Sequence, residues 1–167
     1  ATITSCTNND ELIVLGMSDG RVIGIDARQF VVSWEITCSR SDILCLCLDE
    51  LPDGDVQLWC GGVDGAITLL ELEELTEQPR LAFSQSATPT PEWAPVVAIA
   101  VSEGLVWTAT FGQVTVCAWD MATRECVNTV HCTFRVTALL AHGNEIWAGQ
   151  ADGAISAFDA KTFAQVG

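Results

Sequence analysis

An all-β chain of repeated four-stranded sheets is what this sequence predicts, on three observations. Four stretches are versions of one pattern: IVLGMSDGRVIGID (13–26), LWCGGVDGAITLLE (58–71), VWTATFGQVTVCAWD (106–120) and IWAGQADGAISAFD (146–159). Their closing acids, Asp26, Glu71, Asp120 and Asp159, stand 45, 49 and 39 residues apart, a period that marks repeat architecture. No segment shows convincing helical periodicity, while apolar runs of strand length recur from end to end.

Each copy consists of two short apolar segments around a Gly-containing polar gap, the sequence form of a β-hairpin. The second and fourth copies are identical at six of fourteen positions, including the Trp and the Asp-Gly-Ala-Ile core. A further apolar segment precedes each hairpin: ITSC (3–6), DILCLCLD (42–49), VVAIAV (96–101) and VTALLA (136–141). Another follows: VVSWEI (31–36), LAFS (81–84), ECVNTV (125–130) and FAQVG (163–167). Residues 1–167 therefore form a single unit, with repeats at about 1–36, 43–86, 96–130 and 136–167, each of four strands. The leading strands are apolar at successive positions, which predicts burial on both faces. Sheets stacked around an axis meet that need, because each inner strand is sandwiched between neighbours.

Composition narrows the function classes. A chain of 167 residues buries about 70% of its extended surface on folding, enough for a sizeable core. Its 22 acids outweigh seven basic residues, for a net charge of −15. Such a surface repels nucleic acid and anionic membrane and favours basic partners, besides keeping an apolar chain in solution. The longest apolar runs fall far short of a membrane span, and the opening ATITSC lacks the basic and apolar stretches of a signal peptide. Eight cysteines (6, 38, 45, 47, 60, 117, 126 and 132) sit inside apolar runs, with no Cys-x-x-Cys. They read as buried, reduced thiols, and the expected compartment is cytoplasmic and reducing.

The repeat length, the four strands, the Asp-Gly turn and the Trp-Asp ending of CAWD (117–120) resemble the WD-repeat β-propeller family, over nearly the whole chain. The endings GID, LLE and AFD are relaxed forms of that dipeptide. The resemblance implies a β-propeller of four-stranded antiparallel blades that binds proteins or peptides through its rims and takes no cofactor. The family often links a turn Asp, through a Trp and a hydroxyl residue, to a His in the loop before the repeat. Asp19, Asp64 and Asp152 match the turn Asp, followed by Gly20, Gly65 and Gly153, whereas Gln113 takes that place in the third copy. No His matches, so the aspartates are expected to bond only within their own turns. Four repeats also fall short of the usual six to eight blades. Three closures stay open: a longer parent, a second copy or partner completing the ring, and a compact four-bladed ring.

Chemistry is sparse. His131 adjoins Cys132, but neighbours on a strand point to opposite faces, and His142 lies in the turn AHGNE. No phosphate loop, dinucleotide fingerprint or calcium loop occurs, and the cysteines and histidines lack metal-ligand spacing. Neither a catalytic, a cofactor nor a metal site is expected.

The rims remain. In the family's geometry, loops 37–42, 87–95 and 131–135 share one rim with the Asp-Gly turns. Trp93, in the proline-rich SATPTPEWAP, with Phe134 and Arg135, are candidate partner-binding residues there. On the opposite rim Asp49, Glu50, Asp53 and Asp55 fall in one loop, and Glu71, Glu73, Glu74 and Glu77 in the next. Eight of the 22 acids thus gather at one corner, a candidate patch for a basic partner. The expected function is a non-catalytic protein–protein interaction scaffold. The alternative is a regulatory propeller segment of a larger multidomain enzyme or of a cytoskeletal or trafficking protein.

Overall fold

A computed structural model describes residues 1–75, 77–87 and 94–167. All its regular structure is strand, in four antiparallel sheets ranged around one axis as the blades of a propeller. Blade 1 is β1 (Ile3–Asn8), β2 (Leu12–Met17), β3 (Arg21–Asp26) and β4 (Val32–Thr37). Blade 2 is β5 (Ile43–Glu50), β6 (Val56–Gly62), β7 (Ala66–Leu72) and β8 (Arg80–Ser86). Blade 3 is β9 (Val96–Ser102), β10 (Leu105–Thr110), β11 (Thr115–Asp120) and β12 (Cys126–His131). Blade 4 is β13 (Val136–His142), β14 (Glu145–Gln150) and β15 (Ile155–Asp159).

The fourth blade thus has three strands where the sequence predicts four. FAQVG does lie antiparallel to β15: Ala157 N–H donates to the Gly167 carbonyl, Val166 N–H to that of Ala157, and Asp159 N–H to that of Ala164. It forms one isolated bridge, Phe158 to Gln165, because the few residues past the turn are too short a run to make a ladder.

Two kinds of turn recur, each in three of the four blades. Between the second and third strands of blades 1, 2 and 4, the Asp carboxylate accepts the N–H two residues on: Asp19 from Arg21, Asp64 from Ala66, Asp152 from Ala154. The Gly between them takes a positive φ of 78–90°, a conformation that costs glycine little. After the third strand, the closing Asp caps the next turn. Asp26 Oδ1 accepts the N–H groups of Arg28 and Gln29, Asp120 those of Ala122 and Thr123, and Asp159 those of Lys161 and Thr162, all at 2.7–2.9 Å. Four residues past each of these acids stands a non-glycine residue at positive φ: Phe30 (57°), Arg124 (64°) and Phe163 (60°). The Asp of the relaxed Trp-Asp motif is therefore a turn cap.

Inner strand β5 packs between β1 and β9, and β9 between β5 and β13. Three cores fill the seams. Leu12, Val14, Val22 and Trp34 meet Leu58 and Leu70 between blades 1 and 2. Trp59, Ile67 and Leu69 meet Ile99, Val106 and Trp119 between blades 2 and 3. Trp107, Val116 and Ala118 meet Ile146, Ala148 and Phe158 between blades 3 and 4. Among the described residues no fourth cluster joins blade 4 to blade 1. Residues 4–6, 44–46, 97–99 and 137–139 of the four inner strands line an open central cleft of about 310 Å³.

Candidate interaction surfaces

The two rims are built by different loops. On the first, loops between blades are stitched to the hairpin turns by backbone bonds. Cys38 and Ser39 N–H donate to the Gly20 carbonyl, Ala87 N–H to Gly65, Cys132 N–H to Val114 and Val136 N–H to Gln113. Asp64 departs from the expectation of turn-only bonding. Its Oδ2 accepts the Ser39 hydroxyl at 2.9 Å, from the loop where the family would place its histidine. Asp19 bonds within its own turn, to the Arg21 backbone and guanidinium, as Asp152 does to Ala154. A Trp–hydroxyl bond of the kind the resemblance implies is made in blade 3, where Trp119 Nε1–H donates to Thr108 Oγ1 at 2.9 Å.

At blades 3 and 4 this rim becomes apolar. The third turn reads TFGQ in place of Asp-Gly, and closes from Gln113 N–H to the Thr110 carbonyl at 3.2 Å. Phe111 at its tip is 63% exposed, and Phe134 in the neighbouring loop 47%. The Phe134 N–H is held by Gln150 Oε1 at 2.8 Å, and Gln150 is fixed in turn by Ser156 at 3.0 Å. Arg135 is exposed and lines a cleft of about 240 Å³ with Val97, Phe111, Gly112, Val136 and Thr137. No ion pair involves Arg135 among the described residues. Trp93 lies outside the described residues, but both ends of its loop reach this rim, at Ala87 and at Pro95, whose carbonyl accepts Phe111 N–H at 2.8 Å. Phe111 was not singled out from sequence; its only signal was an aromatic residue in a turn where the other copies carry Ser18, Val63 and Ala151.

The opposite rim gathers the acids. Asp53 and Asp55 are exposed in the loop from β5 to β6, as are Glu73, Glu74 and Glu77 in the loop from β7 to β8. Glu71 is paired with Arg80 and Glu50 accepts from Asn9 Nδ2 at 2.7 Å. Asp49 is half-buried, and that burial, with Glu50 beside it, raises its carboxyl above the ordinary range. Two clefts flank Glu73. One, of about 380 Å³, has walls of Asp10, Glu11, Arg28, Glu50 and Glu73 over Val56, Leu72 and Leu75. The other, of about 310 Å³, is lined by Asp55, Glu71, Glu73 and Arg80. Asp10, Glu11 and Arg28 arrive from blade 1, so the corner spans two blades; Arg28 and Glu11 pair at 2.7 Å. Sequence spacing could not bring them there, since their placement depends on how the blades stack.

The titratable groups elsewhere are arranged for structure. Both histidines are exposed. Among the described residues no three of His, Cys, Asp and Glu converge on a metal-sized point. All eight thiols are free. Burial pushes the thiol of Cys45 up to about 12, and those of Cys47 and Cys117 to about 11. Cys60 is raised by its hydrogen bond with Cys38 and by burial, and Cys38 is lowered by the same bond. Most of these thiols are held protonated at neutral pH and are poor nucleophiles.

Radial antiparallel blades of three or four strands, with an Asp-capped turn after the third strand in three of them, have the β-propeller fold of WD-repeat proteins, and solved structures agree. The chain matches the β-propeller domain of Myceliophteria thermophila Cps50 (Swd1) with a TM-score of 0.81 and 16% identity, over 95% of this chain and 54% of that one. It matches the RRP9 WD40 repeats with a TM-score of 0.79 and 17% identity, over 99% and 50%. The computationally designed Ika4 protein matches with a TM-score of 0.74 and 19% identity, over 95% and 91%. The chain thus spans about half the length of the WD-repeat chains it resembles. No protein-family model and no curated protein matches the sequence. Among the described residues no helix is long and apolar enough to cross a membrane.

Proposed function

We propose that this chain is a non-catalytic scaffold that holds a basic protein segment at the acidic corner of blades 1 and 2. One observation carries the reading: carboxylates from two blades wall a cleft of about 380 Å³ whose floor is apolar. A Lys- or Arg-bearing peptide fits such a groove, its methylenes over Val56, Leu72 and Leu75 and its cations among Asp10, Glu50 and Glu73. Asp53, Asp55, Glu71, Glu74 and Glu77 extend the field and steer the partner in. The net charge of −15 opposes nucleic acid and anionic lipid. The apolar rim at Phe111, Phe134 and Arg135 is a second contact surface of the same scaffold. The free thiols fit a reducing, intracellular compartment.

Titration with a Lys/Arg-rich peptide tests this. Glu73→Lys with Glu74→Lys and Glu77→Lys should weaken binding by roughly 100-fold or more at low salt. Unchanged affinity removes the corner as the site. The half-length match to WD-repeat chains favours one further reading, a regulatory propeller segment of a larger multidomain protein. Its chemistry would then lie outside these residues.

A further inference from the structure

Every blade offers the same positions to the blade after it. The ladders pair Leu12 with Asp26, Gln57 with Glu71, Leu105 with Asp120 and Glu145 with Asp159. Two residues on from the first of each pair stand Val14, Trp59, Trp107 and Trp147; four before the acid stand Val22, Ile67, Val116 and Ile155. In blades 1 to 3 these side chains are 0–2% exposed. In blade 4, Trp147 is 39% and Ile155 61% exposed, and Leu140, paired with Trp147 across the ladder, is 62% exposed.

The receiving positions repeat as well. Leu58, Val106 and Ile146 take the neighbour's side chains at 0–1% exposure, and so do Leu70, Trp119 and Phe158 at 0–7%. Their equivalents in blade 1 are Ile13 and Ile25, both apolar and both only half-buried. The chain therefore ends in a donor face at blade 4 and its matching acceptor at blade 1, and among the described residues the two share no core.

We propose that a second copy of this chain closes the propeller. Blade 4 of each copy seats Leu140, Trp147 and Ile155 against Ile13 and Ile25 on blade 1 of the other. Two identical seams result, in a ring of eight blades. The joint is one that the chain already makes three times internally, with the same strand positions and apolar residues at Trp147, Ile155, Ile13 and Ile25; Leu140 stands where the other blades carry Thr7, Cys47 and Ala100. Its four blades match about half the length of two WD-repeat chains of known structure, so two copies hold about as much chain as one such propeller. Head-to-tail faces of this kind give a closed ring when the rotation closes, and eight blades lie within the range such rings take. The Trp147 indole N–H is already satisfied by Glu145 at 2.8 Å, so covering the ring strands no donor. The acidic corner lies elsewhere, at blades 1 and 2, and stays open in the closed ring. This deepens the partner reading above without depending on the basic peptide.

Sedimentation equilibrium on the full chain is the test. At micromolar concentration the mass should be twice 17.9 kDa. Raising the salt should tighten the dimer, because like-charged copies repel, whereas basic-peptide binding weakens with salt. Trp147→Asp with Ile155→Asp, and separately Ile13→Asp with Ile25→Asp, should each give a monomer with native circular dichroism. Mixed together, the two variants retain one intact seam and should form a heterodimer. A wild-type monomer across the concentration range overturns the proposal without any variant. So does a dimer that both variants leave intact, or an open-ended oligomer.

Discussion

At Gly20 a methyl group has nowhere to go. An added Cβ would meet the Ser39 carbonyl oxygen at 2.1 Å, at a φ of +80°. At Gly153, with φ +90°, the same atom would find nothing within 4 Å. Gly153→Ala should therefore cost about 1 kcal/mol, the backbone term alone, and Gly20→Ala roughly 3 kcal/mol. Urea denaturation separates the two. The positive-φ residues after the closing acids make the opposite prediction. Phe30 is 75% exposed, so Phe30→Gly should gain about 0.5 kcal/mol by relieving the left-handed backbone. Arg124→Gly should show no gain, because the Arg124 guanidinium lies 4.3 Å over the Phe83 ring and loses that contact. The caps add a pH dependence. N–H donors of Thr123 and Ala122 hold Asp120, and those of Thr162 and Lys161 hold Asp159, below the ordinary value of 3.8. A carboxyl lowered in the folded state stabilises it above its unfolded value and loses that contribution as the pH falls. Thermal melts from pH 6 to pH 2 should show less acid sensitivity in Asp120→Asn with Asp159→Asn than in the wild type.

Among the elements, the hairpins were legible because their punctuation is local. An Asp and a Gly fix each turn within four residues, and β2 with β3, β6 with β7 and β14 with β15 follow from that alone. The third turn was legible only as a looser copy, since Gln113 replaces the Asp and the hairpin carries one extra residue after its closing bond. FAQVG carries strand residues yet makes one bridge, because pairing depends on ladder length as well as on residue type. The Ser39–Asp64 bond and the arrival of Asp10, Glu11 and Arg28 at the acidic corner were not legible, because the first joins an inter-blade loop to a hairpin turn and the second joins residues of two blades. The short pairing of the last segment has a measurable consequence. The amides of Ala157 and Asp159, bonded to residues 164–167, should exchange with deuterium faster than those of β11, which are paired along all of β12. Equal protection at the two strands would show that the final segment is held as firmly as a full strand.

For the molecule as a whole, stability is a sum over seams, because among the described residues each blade packs mainly against its neighbours, as in other repeat architectures. Trp107 and Trp147 occupy the same place in successive blades, and they separate the seam term from the residue term. Trp107 is fully buried between blades 3 and 4, with its ring 5.6 Å from that of Phe163. Truncating it opens a cavity in the joint between blades 3 and 4, so Trp107→Ala should cost about 3–5 kcal/mol. Denaturation should also become biphasic, with blade 4 leaving first. Trp147 is 39% exposed on the far side of the same blade, so at high dilution Trp147→Ala should cost less than about 1 kcal/mol. If a second copy covers Trp147, that cost must grow with protein concentration, since association stabilises the folded chain by mass action. The Trp107→Ala penalty carries no such dependence. Equilibrium unfolding of both variants over a hundredfold range of concentration reads the two costs side by side, and a Trp147→Ala cost that stays constant across that range would mean that the fourth blade keeps its face in solvent.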